Sequence, residues 1–162
     1  MADDDARHSW TMAGIHTAVV IDGGVLVGDD GSACAGQALR YAAAEADRRG
    51  TDLHVVRAWG IPTAVRPADA PFGATPSIVE MQDATLAETR RRAETAAAEH
   101  PGVTVHAHTV FGRADRAILA AASGSDVLVV GSKGRSRLAS MLVGSTAVTC
   151  IREAAVPVVV VR

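Results

Sequence analysis

Short apolar runs alternate with helix-period stretches along most of this chain. "VLVGDDGS" (Val25–Ser32) is an apolar run broken by Gly and Asp, the pattern of a buried strand entering a loop. In the next stretch Ala38, Leu39, Ala42 and Ala46 recur at helical spacing, and Gly50 supplies a stop. "DLHVVRAW" (Asp52–Trp59) is short and β-branched, so it predicts a second strand. The Pro- and Gly-rich segment Gly60–Ser77 predicts a long loop, and Ile78 to His100 a helix. "VTVHAHTVFG" (Val103–Gly112) alternates as a strand does, Arg113–Gly124 predicts a short helix, and "DVLVVG" a fourth strand. About Ser145 to Ala154 reads as a helix and "VPVVVVR" (Val156–Arg162) as a terminal strand. Before all of these, residues 1–16 lack periodicity, carry Asp3, Asp4 and Asp5, and read as a mobile tail ahead of one domain over 17–162. "HTAVVIDGG" (His16–Gly24) is open to two readings, a short extra strand or a continuation of that tail.

Strands that alternate with helices predict a parallel sheet covered on both faces. Continuous Val/Ile/Leu runs fit strands buried on both sides. The expected fold is therefore α/β: three layers, α/β/α, around a five-stranded, mainly parallel open sheet of Rossmann-like type. A chain of 162 residues with 48% hydrophobic residues can bury one proper core, and with 3% aromatics Val, Leu, Ile and Ala must build it. The net charge of −2 gives no electrostatic case for nucleic-acid binding. No apolar run reaches the ~20 residues of a membrane span. The acidic start lacks a secretory pattern, so a cytoplasmic protein with Cys34 and Cys150 reduced is expected.

Candidate chemistry gathers where strands end. Open α/β sheets bind ligands at the carboxyl ends of their strands. Two such loops stand out: Gly28-Asp29-Asp30-Gly31-Ser32, and the segment from Gly131. Gly131 and Gly134 flank Ser132-Lys133, where missing side chains let backbone amides approach a ligand and form an anion-binding nest. Gly144-Ser145-Thr146 then opens a helix whose free N–H groups suit phosphate, and Lys133, Arg135 and Arg137 add positive charge. The G-x-x-x-x-G-K-[ST] order of a Walker A loop is absent, as is a G-x-G-x-x-G fingerprint after the first strand. The bland alternative is that these glycines only make tight turns.

"GSKG", nine residues, then "GST" reads G-x2-G-x9-G-[ST], which resembles the nucleotide-binding signature of the universal stress protein family. "VLVGDDGS" with "ALRYAAAEA" resembles that family's opening strand, loop and helix, and Asp126 to Arg162 resembles its C-terminal half. The resemblance implies an adenine-nucleotide α-hydrolase-like fold and an ATP-binding stress-response module; an accompanying Mg²⁺ would be held mostly by phosphate oxygens and water, with Asp30 or Ser145 assisting. It implies that Asp30 contacts ribose or the adenine edge, and that Gly28, Asp29 and Ala58 line the adenine side. Val130 and Gly131 would flank the nucleotide, and Gly134, Gly144, Ser145 and Thr146 would hold phosphates. Lys133 and Arg135 are weaker phosphate candidates, since exposed loop charges are commonly just solvated. One departure stands out. Asp29 occupies a position where the family usually has a small apolar residue, so its carboxylate would either crowd the ligand or face solvent. The alternative function is a dimeric interaction module that binds no nucleotide.

Other residues carry less. Asp30 and Ser145 could equally serve an Asx turn and a helix cap. His106 and His108 share a strand face but lack an evident third metal ligand, and His54 reads as a packed histidine. Cys34 sits near a helix start. No carboxylate or histidine falls in Gly131–Thr146 to act as a base, so any ATP hydrolysis is expected to be slow. The S-G-G-x-D-S and H-I-G-H motifs of adenylating enzymes are absent. The apolar strand Val156–Arg162 would be a hazard at an open edge. The family resemblance implies that it pairs across a homodimer.

Overall fold

In a computed structural model the described residues are 8–11, 14–135 and 143–162. The strands are β1 (His8–Thr11), β2 (Ile15–Val19), β3 (Val25–Gly28), β4 (Leu53–Trp59), β5 (Val105–Phe111), β6 (Val127–Gly131) and β7 (Val158–Val161). The helices are α1 (Ala33–Arg49), α2 (Ile78–Ala96), α3 (Ala114–Ala122) and α4 (Ser145–Glu153). Five strands form one sheet in the order β5-β4-β3-β6-β7, every neighbour pair parallel. The expected α/β/α sandwich with a five-stranded parallel sheet is the fold observed.

Strand periodicity divides the core in two. Val25, Val27, Leu53, Val55, Val127 and Val129 face α1, where Ala38, Leu39, Ala42 and Ala46 meet them. Leu26, Val56, Val110, Leu128 and Val130 face the other way, onto Ile118 and Ala121 of α3 and Ala147 and Cys150 of α4. Small alanines let the helices approach the sheet closely, which compensates for the shortage of aromatic bulk. The helix ends follow sequence signals. Ser32 caps α1 by accepting from Ala35 N at 3.1 Å, and Gly50 ends it in the left-handed region. Ser77 and Glu80 form a reciprocal capping box at the start of α2. The buried side of α2 is unusual, carrying Gln82, Thr85 and Thr89. Thr89 Oγ1 donates to Thr85 O, and Thr85 Oγ1 to Met81 O, each at 2.7 Å.

Of the two readings left open for His16–Gly24, the strand is found. β2 pairs with β1 in an antiparallel ladder and packs against β5 and α3. Gln82 anchors its start, accepting from His16 N at 2.7 Å and donating to Gly14 O at 2.9 Å. The span read as a tail thus contains strand β1 at His8–Thr11, while residues 1–7 and 12–13 lie outside the described residues. Arg137, expected among the phosphate-facing charges, also lies outside them. Both cysteines are free thiols. Burial pushes the Cys150 thiol up to about 11. No described helix is long and apolar enough to cross a membrane.

Candidate functional site

Crossovers from β3 and β6 leave on opposite faces of the sheet, so their carboxyl ends part and open a crevice. The cleft there encloses about 760 Å³ including its open mouth. Its lining contains Gly28, Asp29, Asp30, Ala58, Val130, Gly131, Lys133, Gly134, Arg135, Gly144, Ser145 and Thr146. The twelve residues named for the nucleotide thus border one cleft, while Arg137 lies outside the described residues. Sequence reasoning missed Ala35, Ala114, Ile118 and Ala147, which complete the lining. With Ala58 and Val130 they give the cleft an apolar floor. Their only sequence signal is helical periodicity, which does not say which helix end overhangs a strand end.

The polar wall is built by two loops and a helix start. Gly144 N donates to Ser132 O at 2.7 Å, tying the start of α4 to the loop after β6. Gly144 is the N-cap residue, with ordinary extended backbone, and no side chain caps the helix. The first-turn amides of α4 are thus left to whatever enters the cleft. Ser145 is the first helical residue rather than its cap. Gly134 abuts Asp30: a Cβ there would lie 2.9 Å from Asp30 Oδ2. Gly131 is small for a different reason than ligand approach, since a Cβ would press on Cys34 of α1, 3.2 Å from its Sγ. Asp30 Oδ1 accepts from Ser32 N at 3.0 Å, so the Asx turn is real and the second oxygen faces Gly134. Arg135 Nη1 donates to Thr63 O at 3.3 Å, linking the cleft rim to the long loop.

Asp29 neither crowds the cleft nor faces solvent. Its side chain is fully buried on the far side of the loop, in a bidentate pair with Arg92 of α2. Arg92 Nε donates to Asp29 Oδ2 and Nη2 to Oδ1, both at 2.9 Å. Arg92 Nη2 also donates to Ser32 O at 3.1 Å, and Gly31 N to Asp29 Oδ1 at 3.0 Å. These hydrogen bonds raise the Arg92 guanidinium above its ordinary range. Arg57 on β4 lies beside this pair, lowered by burial and supported chiefly by the Asp29 charge. Gly31 has φ +81°, and a Cβ would come within 3.0 Å of Arg57 Nη2, so backbone and space both call for glycine. The Asp29 carboxylate is thus engaged in fixing the loop.

Breaking a buried pair strands the remaining charge. Arg92→Met and Asp29→Val should each lower unfolding stability by about 3 kcal/mol, and the double variant should recover much of that loss. Urea unfolding of the four proteins checks this; additive losses would show that the pair does not hold the loop.

The universal stress protein family matches residues 24–162. A universal stress protein of Mycobacterium bovis is 36% identical over 139 residues, covering 85% of this chain and 45% of that protein. A second, from Mycobacterium tuberculosis, is 34% identical over 138 residues, 85% of this chain and 44% of that protein. The chain thus spans about half the length of the curated relatives it matches. Among solved structures, a universal stress protein in complex with cAMP superposes with TM-score 0.60 at 25% identity, over 88% of this chain and 98% of that one. Another, from Lactobacillus plantarum, shares the fold with TM-score 0.66 at 22% identity, over 89% and 99%. This chain belongs to the universal stress protein family.

Proposed function

We propose that this chain binds an adenine nucleotide, ATP in particular, and serves as a regulatory module in a stress response. The observation that carries the proposal is the composition of the cleft. An apolar floor of Ala58, Ile118, Val130 and Ala147 suits a base, and the uncapped start of α4 suits phosphates. Asp30 Oδ2, unused by the Asx turn, is placed for a ribose hydroxyl or a Mg²⁺-bound water. Ser145 and Thr146 add hydroxyls, and Lys133 and Arg135 bring positive charge to the rim. The cAMP complex supports the choice of base, because in that relative the family fold holds an adenine nucleotide.

Hydrolysis is at most slow on this proposal. Among the described residues no imidazole lines the cleft, and its carboxylates are Asp29, engaged with Arg92, and Asp30. A base needs hydrogen-bond reach of the attacking water, and Asp30 alone offers it. The Asp29 charge, which would count against a bound nucleotide if it faced the cleft, is paired with Arg92 instead. The functional unit is proposed to be a homodimer. β7 is an edge strand of the sheet and its four valines are only half-buried. Ile151 and Val148 of the neighbouring α4 are exposed as well. Pairing two β7 edges would cover this surface. The proposed setting is the cytoplasm.

ATP added to the purified chain should bind with a calorimetric signal, and denaturing protein fresh from cells should release ATP or ADP. Gly144→Val, which wedges a branched side chain between α4 and the loop at Ser132–Gly134, should weaken binding at least about tenfold. No released nucleotide together with no calorimetric signal would sink the proposal. Separately, sedimentation at micromolar concentration should find a dimer; a monomer contradicts the β7 interface.

A further inference from the structure

A second cluster of chemistry lies at the opposite end of the strands from the cleft. His54 and His106 are second residues of β4 and β5, and the parallel register sets them side by side. Asp52 precedes β4, and its Oδ2 lies 2.8 Å from His106 Nε2. One donor atom from each of Asp52, His54 and His106 falls within 4.8 Å of the other two. The His54 and His106 rings stack with centroids 4.7 Å apart. Behind them His54 Nδ1 faces His108 Nε2 at 3.4 Å, and both residues are buried. Gly24 closes the near side: a Cβ there would lie 3.1 Å from the His54 ring and 2.7 Å from Asp52 O.

We propose that Asp52, His54 and His106 form a binding site for one divalent transition-metal ion of the zinc type. Two imidazoles and a carboxylate are the ligand set that such ions prefer over Mg²⁺ or Ca²⁺. Tetrahedral coordination with bonds of about 2.1 Å brings donor atoms to about 3.4 Å of each other. Side-chain torsions of the two partly exposed ligands supply the closure. His106 and Asp52 are 21% and 47% exposed at their side chains, so the ion has a route in from solvent and these two can turn toward it. Turning takes His106 out of the stack and exchanges its bond to Asp52 for bonds to the ion. His54 is the fixed member. Its Nδ1 faces His108 Nε2 at 3.4 Å, which makes His108 the residue that orients it. A fourth position stays open to water. The ion would join the starts of β4 and β5 through side chains as well as backbone, adding stability by mass action. Because the cleft sits at the other strand ends, this site stands or falls independently of nucleotide binding.

The test uses the full chain, freed of metal with a chelator and then titrated with Zn²⁺ and Co²⁺. One Zn²⁺ should bind per chain with a rise in Tm, and Co²⁺ should give the visible absorption of a low-coordinate site. His106→Ala and Asp52→Asn should each weaken Zn²⁺ at least about tenfold. His100→Ala, which removes the comparable His100–Asp47 surface pair, should change nothing. Zn²⁺ affinity unaltered by both ligand variants overturns the proposal. Should a variant fold poorly, the unaltered chain decides. Co²⁺ must broaden the imidazole resonances of His54 and His106 before that of His100, and the reverse order overturns the site.

Discussion

Two parallel strands whose connections depart on opposite faces cannot close over their own ends. That constraint governs this molecule. β3 feeds α1 on one face, while β6 is reached from α3 and leads toward α4 on the other. The crevice between their carboxyl ends is a consequence of sheet order. Everything at the site follows from what the chain places around it. Glycines stand where a side chain would meet close neighbours, a helix begins without a side-chain cap, and small apolar residues form the floor.

The loop after β3 has to be rigid to serve as a wall, yet it carries two adjacent carboxylates. The chain resolves that by dividing their labour. Asp30 stays at the cleft and makes an Asx turn with Ser32. Asp29 turns inward to Arg92, whose second contact is Ser32 O at the start of α1. One guanidinium therefore braces the loop, the α1 cap and α2 together. The polar buried side of α2 belongs to the same region: Thr85 and Thr89 satisfy themselves on their own helix backbone, and Gln82 secures β2. A charge placed beside a ligand site is thereby turned into scaffold.

Much of this was legible in the sequence, and the limits have a physical pattern. Strands buried on both sides must be apolar throughout, so Val25–Gly28 and Val127–Gly131 announced themselves. Glycine spacing marked the cleft loops because a side chain there would meet close neighbours, Arg57 at Gly31, where φ is also positive, and Asp30 at Gly134. What escaped depends on partners far away in the chain. The direction of Asp29 is set by Arg92, 63 positions later. The β1–β2 ladder packs on β5 and is held at its start by Gln82. Along the chain nothing near His106 and His108 marks a third ligand, because Asp52 and His54 come beside His106 only in the folded sheet. Ile118 enters the cleft floor only through the rotation of α3 against β3, where it meets Gly28. Local pattern fixes elements; it carries little about which side chains meet across the sheet.

The central claim is that nucleotide occupies the crevice between β3 and β6. Amide resonances of the isotopically labelled chain, followed as ATP is added, test it most directly. The account expects the largest shifts at Gly28–Asp30, Gly131–Arg135 and Gly144–Thr146, with little change at Asp52, His54 and His106 at the other strand ends. Shifts absent at saturating ATP, or centred away from those three segments, would contradict it.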